Sequence, residues 1–387
     1  MRIAHIITDE KFPDSAYEMF EQVLPGCNDF ILPDLKSPIK HLKKIDPIRV
    51  SRYSFLNSRF IRVINGYDAL IIHGMSAFSI ELINRCSENV SIYWIGMGFD
   101  YYDIIYDSRW GMLKKHTGEE VIEVRTSFRF MRSALIQILR NARNRVLYPH
   151  SNDKKRWVKR VDYFCPVLES EFFSLKEKIN NWNACYVDWN YGNSAALVDG
   201  EYGENFSLGS NILLGNSASP TNNHIDAFHF LKKNEKFLPD DSKIIVPLSY
   251  GDLNYREIVV KEGLEILGDR FFPLTEMVSP REYSKVIESC SLVFMNHIRQ
   301  QAGNNIAQAL YMGARVILDS KNPFYKEYKK HGVFISSLDD IENEPDFLSI
   351  PLTAEEKYKN KYSLRELRGS EAAIYKTKKL IESIASN

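Results

Sequence analysis

The strongest constraint on the fold is a repeated alternation of short apolar runs, four to six residues each, with segments of helical spacing. In the second half it is almost unbroken: residues 211–214 precede 225–233, 243–247 precede 255–267, and 270–273 precede 280–289. Residues 292–296 then precede 304–312, and 315–318 precede 323–330. A short strand at 333–335 and a charged helix over 363–384 end the series. Runs this short without polar alternation fit strands buried on both faces, and the helices between them supply the crossovers that parallel strands require. The first half shows the same pattern, with strands expected at 3–8, 68–73, 90–95 and 161–166 and helices at 15–24, 78–86 and 170–179. The chain is therefore expected to be α/β, with two Rossmann-like doubly wound domains facing across a cleft.

The length of 387 residues suits two domains. Periodicity is lost between 183 and 210, where Gly, Asn, Ser and Asp accumulate. The expected division is 1–190, a linker at 191–210, 211–362, and a terminal helix at 363–387 that packs back on the first domain. Lys plus Arg equals Asp plus Glu at 50 each, which disfavours a nucleic-acid partner. Five scattered cysteines without CxxC spacing argue against a disulfide framework and a zinc site, and for a reducing cytoplasm. The N-terminus reads as a strand, not a signal peptide, and no window has the apolar length of a membrane-spanning helix.

Ligands of doubly wound sheets bind beyond the carboxyl ends of the strands, and four stretches there carry candidate chemistry. In ILLGNSASPTNNHIDAF, Gly215, Asn216 and Ser217 form a turn whose amides can converge on a phosphate or a sugar hydroxyl. An ordinary strand-to-helix turn capped by Asn222 or Asn223 has the same composition. In FMNHIRQQAGNNIAQALYMGARVIL, Arg299, Gln300 and Gln301 precede a helix opened by Gly303, an arrangement suited to a diphosphate. In SIYWIGMGFDYYD, Gly96 and Gly98 allow close backbone approach and Asp100 is a candidate general base, with Asp9 and His73 behind it. His73 and Gly74 end the neighbouring strand. The fourth stretch, 125–160, holds eleven Lys and Arg against one Asp with interleaved apolar residues, which suits an anionic membrane surface or, equally, a solvated basic face. Neither the P-loop nor the dinucleotide glycine fingerprint occurs.

Taken in order, ILLGNSASPTNNHIDA, KIIVPLSYGDLNYREIV and HIRQQAGNNIAQALYMGARVILDSKNPFY resemble the TDP-N-acetylfucosamine:lipid II N-acetylfucosaminyltransferase family, which acts in assembly of enterobacterial common antigen. HGMS and YWIGMGFDYYD extend the resemblance into the first half. It implies a GT-B glycosyltransferase that inverts the anomeric centre, with no cofactor and no metal. The donor is a dTDP-sugar on the C-terminal domain, and the acceptor is a lipid-diphosphate-linked glycan on the N-terminal one. Carried over, Gly215, Asn216, Ser217, Tyr250 and Gly251 line the donor loops. Arg299, Gln300, Gln301 and Gly303 hold the diphosphate, with Asn304 near the sugar. Leu274 and Glu276 fall in the segment where GT-B enzymes read the base, by analogy of fold. Gly74, Gly96 and Gly98 would lie on the acceptor side. The expected location is cytoplasmic, peripheral on the inner membrane face. The alternatives are a nucleotide-sugar epimerase of the same architecture and a non-catalytic nucleotide- or glycan-binding protein.

Overall fold

The computed structural model describes residues 1–126, 146–191 and 206–386, and the chain divides into two units. The first comprises Met1–Asp107, Arg132–Asn193 and Ser370–Asn387, and the second Ser108–Met131 and Ser194–Gly369. Residues 108–126 thus fold with the second unit, a placement that differs from the expected boundary near 190.

Each unit is built on one parallel sheet. In the first, β1 (Ile3–Ile6), β2 (Asn28–Leu32), β3 (Ile48–Arg49), β4 (Ala69–His73), β5 (Ser91–Ile95), β6 (Tyr163–Cys165) and β7 (Cys185–Tyr186) lie in the order β3-β2-β1-β4-β5-β6-β7. In the second, β8 (Asn211–Leu214), β9 (Ile244–Pro247), β10 (Phe271–Leu274), β11 (Cys290–Met295), β12 (Arg315–Leu318) and β13 (Ser336–Ser337) lie in the order β10-β9-β8-β11-β12-β13. Chain order therefore reverses between β1 and β4 and again between β8 and β11. These are the topological switch points at which such sheets open a crevice.

The helices are α1 (Pro13–Val23), α2 (Ser58–Ile64), α3 (Ala77–Ile83), α4 (Tyr102–Ile105), α5 (Lys115–Thr126), α6 (Lys154–Val158) and α7 (Glu169–Lys178). They continue with α8 (His224–Lys233), α9 (Leu253–Leu267), α10 (Pro280–Glu288), α11 (Gly303–Met312), α12 (Pro323–Lys330), α13 (Leu338–Asn343), α14 (Ala354–Arg368) and α15 (Ser370–Ala385). The expected strand at 333–335 is replaced by the two-residue β13, which begins at Ser336. The expected helix at 363–384 is two helices broken at Gly369, which lies in extended conformation. Of these two, α15 packs on α1, and Trp189 Nε1 donates to Thr377 Oγ1 at 2.9 Å.

The cores follow from the apolar runs. Ile3, Phe20, Ile71, Tyr93, Trp189 and Leu380 share one cluster in the first unit. Ile212, Phe228, Val246, Phe294 and Ile317 share another in the second, where Val121 of α5 joins them. Burying a valine there contributes about 1.5–3 kcal/mol, so α5 is an integral part of that core.

Both units bury histidine. His5 stacks on Phe30 at 4.3 Å and shares a 2.9 Å hydrogen bond with His73, which is bonded in turn to the Tyr191 hydroxyl. His224 and His297 are fully buried in the second unit. Burial disfavours the imidazolium and lowers His5 and His224 to about 3, with His73 and His297 also well below their ordinary value. The unfolded chain takes up protons from about pH 6.5 downward while these native imidazoles refuse them. Stability is therefore fully present above that pH and falls as acid is added, by up to about 1.4 kcal/mol per pH unit for each histidine. Urea midpoints at about pH 7.5 and about pH 5 should show this loss, and His224→Gln should lessen its slope by one histidine's share.

Candidate functional site

The second unit's crevice opens where β8 and β11 part, and the loop after β8 is built around Asn222. Gly215 adopts a left-handed φ of +71°, and a side chain there would meet His224 Nε2 at 2.8 Å and Asn222 Oδ1 at 3.0 Å. Its amide donates to Phe294 O at 2.9 Å, which ties the loop to β11. Asn222 is fully buried. Its Oδ1 accepts the Asn216 amide at 3.1 Å, and its Nδ2 donates to Ser217 O at 2.9 Å and Ser219 O at 3.1 Å.

The loop so fixed aims Asn216 at two partners. Its Nδ2 donates to the Tyr250 hydroxyl at 2.9 Å, and its Oδ1 accepts from Gln301 Nε2 at 2.8 Å. The Thr221 hydroxyl donates to Gln301 Oε1 at 2.8 Å. Tyr250 is also held through its backbone. Ala218 N donates to Tyr250 O and Asp252 N to Ala218 O, each at 2.8 Å. Gly251 has φ of +117°, and a Cβ there would lie 2.6 Å from Ala218 O, so only glycine lets the two loops meet this closely. Thus Gly215, Asn216, Ser217, Tyr250, Gly251 and Gln301, dispersed over the sequence, are brought together.

Beside them starts α11. Ala302 precedes it with φ of 57°, a left-handed conformation that costs a non-glycine residue about 1–3 kcal/mol. No side chain caps the helix, and no described residue accepts from the amides of Gly303, Asn304 or Asn305. These amides and the partial positive charge of a ten-residue helix are the chemistry that suits an anion. Gly303 is required by packing, since a Cβ would meet Phe324 Cζ at 2.7 Å. Gln300 is buried, and Arg299 is part-buried with one guanidinium N–H on Gln300 O at 3.0 Å. Asn322 Nδ2 donates to His297 O at 3.0 Å and Arg299 O at 3.2 Å, fixing the turn. Leu274 ends β10 and its carbonyl accepts from Leu248 N at 2.8 Å; Glu276, just beyond it, is exposed.

A second group of residues meets here without any local signal in the chain. Lys114, just ahead of α5, reaches Asn296 Oδ1 and pairs with Asp319 at 2.6 Å, over the carboxyl ends of β11 and β12. Asn223, left-handed at φ 53°, receives the Lys114 amide at 2.8 Å and donates to Met112 O and Asn296 O, both at 3.2 Å. Asp226 accepts the amides of His116 at 3.0 Å and Thr117 at 2.9 Å. Residues about 110 positions apart make these bonds, so local pattern could not reveal them. His297 sits in this group with neither ring nitrogen hydrogen-bonded. Burial first, then the charges of Arg299 and Lys114, keep it neutral.

In the first unit Asp100 is a structural staple. It is buried; Oδ2 accepts Met75 N at 2.9 Å and Trp94 Nε1 at 2.8 Å, and Oδ1 accepts Met97 N at 2.9 Å. Burial raises its pKa, and the three donors oppose that rise. Gly74, Gly96 and Gly98 belong to the loops it ties: Gly74 and Gly98 have φ of +77° and +87°, and Gly96 lies under the Tyr101 and Phe164 rings. His73 has both ring nitrogens bonded inside the core, away from solvent. Asp9 alone among the three expected bases is not buried. Its Oδ2 accepts Lys40 N at 2.7 Å, and its Oδ1 accepts His41 N at 2.9 Å and Leu42 N at 3.1 Å.

Of the basic stretch 125–160, residues 127–145 lie outside the described residues. In its described remainder Lys154 pairs with Asp103 at 2.5 Å and Arg160 with Asp162 at 3.3 Å. Among the described residues no helix is long and apolar enough to cross a membrane.

Residues 168–345 match the family described as 4-alpha-L-fucosyltransferase, glycosyl transferase group 56, a span of somewhat under half of the chain. Among solved structures, Anabaena HepE in complex with UDP and glucose superposes with a TM-score of 0.61 at 11% identity, covering 100% of both chains. The lipopolysaccharide outer core galactosyltransferase WaaB gives 0.62 at 12%, covering 99% of each chain. Sucrose-phosphate synthase from Thermosynechococcus elongatus gives 0.60 at 10%, covering 100% of this chain and 99% of that one. At such identities the superpositions speak for the fold, and the family match speaks for the activity. Two parallel-sheet α/β units and this match make the chain a glycosyltransferase of the GT-B type, akin through residues 168–345 to the fucosyltransferases of group 56.

Proposed function

We propose that the enzyme transfers a deoxyamino sugar, of the 4-acetamido-4,6-dideoxygalactose kind, from a dTDP carrier to a polyprenyl-diphosphate-linked glycan in bacterial surface polysaccharide synthesis, with inversion at the anomeric carbon. The observation that carries this reading is the uncapped start of α11, preceded in the same turn by Arg299 and by Gln301, which is bonded to Asn216. A leaving diphosphate there is stabilised as its charge grows, by amides and a guanidinium already in place. The family match and the order of the loops favour a fucose-like sugar.

In the reaction an acceptor hydroxyl oxygen bonds to the anomeric carbon as the bond to the diphosphate breaks. The hydroxyl proton passes to a base, and dTDP leaves as the anion. Asp9 suits that base better than Asp100, whose oxygens already serve three donors in a buried place. Oδ2 of Asp9 accepts one amide and retains a lone pair. It borders a pocket of about 210 Å³ with Thr8, Leu32, Pro33, Ser37 and Ile39. Burial raises the Asp9 carboxyl, but the amides of residues 40–42 outweigh it and hold the group below its ordinary value. It is therefore ionised, ready to accept a proton, throughout the neutral range.

Asp9→Asn is expected to lower kcat by about 10²–10⁴ while dTDP affinity stays unchanged in calorimetry. Wild-type turnover in that variant would remove Asp9 from the role. Arg299→Ala should weaken dTDP binding about tenfold or more, the usual effect of losing one charge-assisted hydrogen bond. An unaltered dissociation constant would count against the diphosphate assignment.

A further inference from the structure

At the carboxyl ends of β9 and β10 two large side chains stand exposed, with Tyr250 49% and Met277 68% accessible. Exposed aromatic side chains ordinarily move between rotamers, but Tyr250 is fixed from three directions. Its hydroxyl is bonded to Asn216 Nδ2 at 2.9 Å, and this end of the side chain is buried enough to raise its pKa. Its carbonyl accepts Ala218 N, and the adjoining Gly251 rests on Ala218 O. The Ser249 hydroxyl lies 3.7 Å from Met277 Sδ, so the thioether flanks the same loop. The side chain is thereby held by its hydroxyl and backbone while about half of the residue stays open to solvent. One hydrogen bond links it to Asn216, and a second links Asn216 to Gln301 beside the free amides of α11.

A ring whose hydroxyl is bonded inward offers a ligand its π-face. A flat heteroaromatic group uses such a face well, and stacking does not depend on which base is presented. We infer that Tyr250 is the stacking platform for the nucleobase of the donor, next to the diphosphate cradle at the start of α11. The inference rests on the donor reading above and adds to it the contact that holds the base.

The test is calorimetry on the full chain with dTDP and, separately, inorganic pyrophosphate. If the wild-type protein binds neither, the donor reading itself fails. If it binds both, Tyr250→Ala should weaken dTDP about tenfold or more and leave pyrophosphate within about twofold. Tyr250→Phe keeps the ring and should stay within about threefold of wild type for dTDP. Equal losses for dTDP and pyrophosphate in Tyr250→Ala, or a loss in Tyr250→Phe as large as in Tyr250→Ala, would overturn the platform in favour of loop support by the hydroxyl. Unchanged dTDP binding in Tyr250→Ala, with weaker binding of the dTDP-sugar, would overturn it in favour of a sugar contact.

Discussion

One buried carboxamide organises the loop at the switch point of the second unit. A strand that ends inside a protein leaves peptide groups needing partners, and at the end of β8 Asn222 supplies them. Its acceptor and donor sides between them satisfy one amide and two carbonyls of the loop from Asn216 to Ser219. Removing it would strand at least one buried peptide group, at a cost of about 1–3 kcal/mol before any rearrangement. The close fit at Gly215, the aim of Asn216 and the fixed hydroxyl of Tyr250 all follow from this side chain.

Charge in the same unit is arranged so that little of it is wasted on repulsion. Lys114 is neutralised by Asp319 in a part-buried pair, and His297 between the cations is uncharged. The positive character at the start of α11 therefore comes from the helix itself and from Arg299. Ala302 holds a strained backbone next to those amides. Such outliers cluster at functional sites, where the surrounding packing keeps them in place.

Much of both sheets was legible because strands buried on both faces must read as unbroken apolar runs: the expected bounds of β8, β12 and α12 coincide with those observed. Strands β2, β3 and β7 escaped notice, because NDFIL begins with polar residues and the other two are two residues long. The loops that meet around Asn216 were legible as Gly, Asn and Gln at strand ends. Asn222 looked like a cap, since sequence cannot distinguish a side chain that bonds its own helix from one that folds inward. Asp100 read as a base from its place after β5, and nothing local revealed that Trp94 and two amides would enclose it. Lys114 carried no signal at all. Its partners are a separation of sequence that only the completed fold removes.

The assignment of residues 108–126 to one unit and of α15 to the other bears on how the molecule can be taken apart. A cut near residue 190 would yield a C-terminal fragment lacking Val121 and the anchor at Lys114, and an N-terminal fragment whose Leu380 and Ile384 have gone with the other piece. Grafting either half onto a related scaffold needs non-contiguous stretches of gene. Recombination that respects only the central boundary would expose both interiors.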